Sequence, residues 1–115
     1  MALHVERIGD VAVVTPSGML KGGKETDELE TQLRSLVHEG ETKKVLLDLG
    51  KTNFMASTAI GVVASVHASA VQRDVHFVVC NVERRIESVL VVIKIANILQ
   101  LYDKREDALA ALAEL

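Results

Sequence analysis

Two adjacent hydroxyls interrupt the apolar passage NFMASTAIGVV, residues Asn53–Val63: Ser57 and Thr58. A short strand-like run precedes them and a helical pattern follows, which places the pair at a strand-to-helix junction. A serine there can accept a backbone N–H that the helix leaves free, so Ser57 is expected to be the N-cap. The same place suits covalent modification. A phosphate on a hydroxyl at a helix N-terminus is stabilised by the free N–H groups and the helix dipole. It would set about two negative charges beside Met55, Ala56 and Ala59. An apolar partner would accept that surface before modification and be repelled by it afterwards.

Other chemistry finds less to work with. The four histidines, His4, His38, His67 and His76, form no H-x-H or H-x-x-x-H pair, and a single cysteine, Cys80, gives a structural zinc little to bind. No metal or cofactor is therefore expected. Ala56-Ser57-Thr58-Ala59 lacks both glycines of a nucleophile elbow. Gly18 and Gly23-Lys24 have the spacing of a phosphate-binding loop, but Glu25 stands where that loop needs a magnesium-binding hydroxyl. Asp48 ends an apolar run without the early acids that a phosphoacceptor aspartate shares its Mg²⁺ with. Cys80 reads as a small core residue.

The chain is 115 residues long, the size of one domain, residues 1–115. Apolar residues make up 49% and charged residues 25%, which is ordinary for a globular fold. Aromatics are only 3%, so the core must come from Val, Leu, Ile and Ala. The net charge of −3 and the lack of a Lys/Arg stripe argue against nucleic acid as a partner. No apolar run approaches the ~20 residues that span a bilayer, and MALHVERIGD does not read as a signal peptide. One cysteine fits a reducing compartment, and a cytoplasmic protein is expected.

The elements that must carry Ser57 follow from periodicity. Val5–Ile8 and Val11–Val14 read as a hairpin across Gly9-Asp10, with Pro16 ending the second strand and Gly18, Gly22 and Gly23 marking a loop. Leu29, Leu33, Leu36 and Val37 form one stripe of a helix over about Lys24–Glu39, stopped by Gly40. Val45–Leu49 reads as a strand buried on both faces, followed by a helix over about Ser57–Gln72 and a second buried strand at Val75–Cys80. An amphipathic segment over about Val82–Ile93, a short strand at Ile98–Tyr102 and a closing helix complete the chain. Asp103-x-x-Glu106 has the form of a capping box for that last helix. Helices alternating with short buried strands predict an α/β sandwich, its sheet antiparallel at the hairpin and mainly parallel beyond it.

Taken together, Leu47-Asp48-Leu49, Asn53-Phe54-Met55-Ala56-Ser57-Thr58-Ala59-Ile60-Gly61, the early Gly18-Met19-Leu20, Asn81-Val82 and Ile95-Ala96-Asn97-Ile98-Leu99 resemble the STAS domain, in particular bacterial anti-sigma factor antagonists. The likeness runs through nearly the whole chain in the right element order. It implies a STAS-like sandwich with a mixed, mainly parallel sheet of about five strands, an N-terminal hairpin and four helices. It also implies partner switching: a non-enzymatic antagonist, phosphorylated on Ser57 by an anti-sigma factor kinase of GHKL type, that binds the kinase when unmodified. Contacts would come from Lys21, Asn53, Met55, Thr58 and Gly61, in a monomer or weak dimer. Ala56 and Ala59 depart from the family's aspartate and glycine, and Lys21 stands where an acid is frequent. Those departures keep open a STAS adaptor without a phosphate cycle, for example in lipid transport. A small nucleotide-binding protein is the remaining alternative.

Overall fold

The computed structural model describes residues 3–83, 86 and 99–115. Its elements run β1 (Leu3–Ile8), β2 (Val11–Leu20), α1 (Lys24–His38), β3 (Lys44–Asp48), β4 (Lys51–Met55), α2 (Ser57–Gln72), β5 (His76–Cys80), β6 (Gln100–Tyr102) and α3 (Arg105–Ala113). The strands form one six-stranded mixed sheet in the order β1-β2-β3-β5-β6, with β4 also paired to β2. Among the described residues only β1 and β2 pair antiparallel; the other pairings are parallel. Among the described residues there are three helices rather than the four expected. The segment assigned to the fourth, Val82–Ile93, lies almost entirely outside the described residues.

Alternation along the central strands divides two cores. Ala12 and Val14 of β2, Val45 and Leu47 of β3, and Phe77 and Val79 of β5 pack beneath α1 and α2. Val11 and Val13, Leu46, Val78 and Cys80 face the other way, toward Ala108 and Leu112 of α3. Successive strand side chains point to opposite faces, so a strand covered on both sides must be apolar at every position. That explains VAVV, VLL and FVV.

The hairpin turns at Gly9, which takes a φ of +61° and sets Ile8 opposite Val11. Pro16, however, does not end β2. The strand continues to Leu20, so Gly18–Leu20 is paired strand, the loop shrinks to Lys21–Gly23, and a phosphate-binding loop is not formed. β2 pairs with β3 through Val14 and with β4 from Ser17. Pro16 falls where the ladder changes partner, and there its missing N–H costs little. Its carbonyl accepts a hydrogen bond from Thr52 Oγ1 at 3.1 Å.

β4 was not expected. It continues in the direction of β3 after Leu49-Gly50, and a register shift between Gly18 and Met19 sets Phe54 opposite Met19. Its burial is irregular, with only Thr52 and Met55 inside, so no clean alternation marks it in the sequence. The capping box of the last helix also fails to form. Lys104 is the N-cap and makes no side-chain cap bond, which leaves Asp103 outside the capping position.

α1 and α2 begin and end within about a residue of expectation. Gly40, at φ +87°, follows the end of α1 as the left-handed residue that stops a helix. On α2, Ala59, Ile60, Val63, Val66 and Ala70 form the buried stripe. His67 is half-buried beside Phe77, with ring centroids 6.3 Å apart, and burial holds its pKa below the ordinary value.

Packing of this kind predicts a graded response. Leu47→Ala, at a fully buried position of β3, is expected to lower the unfolding free energy by about 2–5 kcal/mol. Val71→Ala, on a side chain 61% exposed, is expected to change it by less than about 0.5 kcal/mol. Urea denaturation followed by circular dichroism measures both.

Candidate functional site

Ser57 is delivered by β4 and held by the end of β2. Leu20 pairs with Met55, and the Ala56 N–H donates to the Leu20 carbonyl at 2.8 Å. The chain then turns into α2, with the Ile60 N–H donating to the Ala56 carbonyl at 3.1 Å. Ala56, extended at φ −71° and ψ 162°, is the N-cap. The expectation that Ser57 caps the helix is therefore corrected: Ser57 is the first helical residue. The cause is the Ala56–Leu20 hydrogen bond, which keeps Ala56 in the sheet's geometry until α2 begins. With alanine as N-cap, no side chain caps this helix, and its first turn carries no acid.

Lys21, Asn53, Ser57, Thr58 and Gly61 are all exposed. Met55 differs: it is only 7% exposed and belongs to the core beneath α2. Lys21 follows Leu20 directly, so its backbone lies across from the Ala56–Ser57 step. Gly22 rests on Thr58, since a Cβ at Gly22 would collide with Thr58 Oγ1.

Two apolar residues near Ser57 escaped the sequence reading. Met19 is 45% and Phe54 38% exposed, and they stand opposite each other on β2 and β4. Recognising β4 would have revealed them as one exposed rung.

A second polar centre lies at the C-terminal ends of the central strands. The Asp48 carboxylate, with its side chain 7% exposed, accepts from Arg105 Nε at 2.8 Å, from Asn81 Nδ2 at 3.0 Å and from the Gly50 N–H at 2.9 Å. Arg105 Nη2 also donates to Thr15 Oγ1 at 3.2 Å, and Nη1 lies 3.9 Å from Glu6 Oε1. Burial alone would raise the Asp48 pKa, but the bonds from Asn81, Gly50 and Arg105 outweigh it and hold it below the ordinary value. These residues line a 640 Å³ cleft together with Ser17 and Lys51. Its charges are mixed, and the Asp48 carboxylate is already bonded to the protein's own donors. Beneath it, burial and the Asp48 charge push the Cys80 thiol up to about 12, which removes it as a nucleophile at neutral pH. Among the described residues no cluster of His, Cys, Asp and Glu could hold a metal ion.

The STAS domain model matches residues 2–108. This chain belongs to the STAS domain family. Over 111 residues it is 26% identical to the "Putative anti-sigma factor antagonist BtrV" of Bordetella bronchiseptica, covering 96% of this chain and 94% of that relative. Its fold is similar to an anti-sigma factor antagonist from Mycobacterium paratuberculosis, with a TM-score of 0.80, 23% identity and coverage of 95% and 91% of the two chains. It is likewise similar to the Bacillus cell fate determinant SpoIIAA in its phosphorylated form, with a TM-score of 0.79, 14% identity and coverage of 96% and 99%. The STAS-like α/β class expected from the sequence is thereby met. No helix of the described residues is long and apolar enough to cross a membrane.

The Asp48 centre predicts a definite pH response. A depressed pKa means that the stabilisation is fully present above the unfolded value of about 3.9 and is lost as pH falls through the folded value. Asp48→Asn is expected to flatten the fall in urea midpoint below about pH 4. Some slope should persist, because Asp10 and Glu39 are also held low, by hydrogen bonds from Lys44 and Thr42 respectively. At pH 7, Arg105→Ala is expected to cost on the order of 2–3 kcal/mol, less than a fully buried pair because Arg105 keeps 29% of its side chain exposed.

Proposed function

We propose that this protein is an anti-sigma factor antagonist that acts by partner switching in the cytoplasm, as a binding module rather than an enzyme. Its partner is an anti-sigma factor with serine kinase activity of the GHKL type. The observation that carries this reading is Ser57 itself, an exposed hydroxyl on the first residue of an uncapped helix, in a chain of the STAS family. The kinase would transfer the γ-phosphoryl group of ATP to Ser57 Oγ, releasing ADP and the hydroxyl proton. The free N–H groups of α2 then favour the phosphate, while its charge opposes an apolar partner surface.

Lys21, Asn53, Thr58 and Gly61 would line the contact around Ser57, with Met55 supporting it from the core. Met19 and Phe54 would add the apolar area. A second reading, a STAS adaptor without a phosphate cycle, is favoured by one feature: Ala56, where the family pattern has an acid.

Incubation with the cognate kinase and ATP, followed by mass spectrometry, tests the leading reading. One phosphate on Ser57 in wild type and none on Ser57→Ala is expected. An unmodified wild-type chain would favour the adaptor. Phe54→Ser is expected to weaken kinase binding by about tenfold, or ~1.4 kcal/mol, with the fold retained; isothermal titration calorimetry measures it.

A further inference from the structure

The two adjacent hydroxyls are not equivalent. Ser57 stands clear at the first helical position, whereas Thr58 carries the loop between β2 and α1. Gly22 takes a φ of +93°, and a Cβ built on it would overlap Thr58 Oγ1 and lie 3.5 Å from Thr58 Cβ and 3.9 Å from Cγ2. Glycine is required there twice over, by the left-handed backbone and by the lack of room. The Gly22 N–H donates to Thr26 Oγ1 at 2.9 Å, and Thr26 is buried in the first turn of α1. On the other side of Lys21, Leu20 pairs with Met55 and accepts the Ala56 N–H. Lys21 is therefore held between two fixed neighbours, one on β4 and one on α2.

We propose that the Gly22–Thr58 contact is a latch that fixes the Lys21–Gly23 loop on the first turn of α2, making Thr58 a positioning residue instead of a second phosphoacceptor. The proposal rests on the reading of Ser57 as the acceptor and specifies how its surroundings are ordered. A partner then meets Lys21 and Ser57 as one preformed surface and does not have to order the loop on binding. A phosphate on Thr58 Oγ1 would need volume that the Gly22 backbone fills, so modification there requires the loop to lift. Modification of Ser57 does not. The latch thus selects one hydroxyl of the pair.

Gly22→Ala, Thr58→Ala, the double variant and Thr58→Ser separate this from a general loss of stability. Thr58→Ala lies on an exposed helical position where alanine favours the helix, so its fold is secure. Amide hydrogen exchange over residues 21–26 and 57–61, measured without any partner, reads the latch directly. Each alanine variant is expected to speed exchange in the loop by about tenfold, Thr58→Ala by deleting the contact and Gly22→Ala by forcing a Cβ into it. The double variant is expected to speed it by no more than the faster single one, because both act on the same contact. Thr58→Ser, which keeps Oγ1, should stay within about threefold of wild type. Multiplying effects in the double variant, or unchanged exchange in both singles, would overturn the latch.

Incubation of Ser57→Ala with kinase and ATP tests acceptor selection. No phosphate on Thr58 is expected, and modification there at the wild-type Ser57 rate would overturn the selection. If the kinase leaves wild type unmodified, the Ser57 reading fails, while the exchange experiment still decides the latch.

Discussion

A carboxylate almost wholly removed from water must have its oxygens bonded, and at Asp48 that demand joins four parts of the fold. Asp48 ends β3, the middle strand of the five-strand path. Its oxygens take Gly50 from the β3–β4 connection, Asn81 from beyond β5 and Arg105 from the start of α3. Arg105 in turn reaches Thr15 on β2. Unpartnered, the charge would be costly to bury; bonded this way, it fixes where the central strands stop and where the chain leaves them. The Gly50 bond also sets the start of β4, which begins at the next residue and leads to Ser57.

β2 completes the arrangement. Its first half belongs to the central sheet, and its second half holds β4 and then Ala56. One strand therefore carries the rigidity of the core out to the junction at Ser57. The result is a small exposed surface in which Phe54, Met19 and the opening of α2 rest on backbone hydrogen bonds, with Lys21 at the start of the short loop that follows β2. Ala59 fits the same account. It is fully buried under the first turn of α2, so a methyl group in place of the family's glycine is accommodated in the core.

Most of this was legible in the sequence where one element had one environment. The helix at Ser57–Gln72 and the doubly buried strands announced themselves by period and composition. Reading failed where a residue served two partners. Pro16 looked like a strand end because its place at a change of ladder partner depends on β3 and β4 together. β4 was invisible because the register shift at Gly18/Met19 breaks the alternation that marks a strand. Ser57 looked like the cap because serine usually is one; the Ala56–Leu20 bond, a tertiary contact, moved the helix start by one residue. The role of Asp48 was out of reach for the same reason: Arg105 is 57 residues away in the chain.

The function proposed above turns on one claim, that the charge on Ser57 decides whether a partner binds. Titration of the proposed anti-sigma kinase partner with wild type, Ser57→Ala and Ser57→Asp tests it most directly. The account predicts that Ser57→Ala binds as tightly as unmodified wild type and that Ser57→Asp binds at least about tenfold more weakly, a difference of ~1.4 kcal/mol. Equal affinity for Ser57→Ala and Ser57→Asp would contradict it.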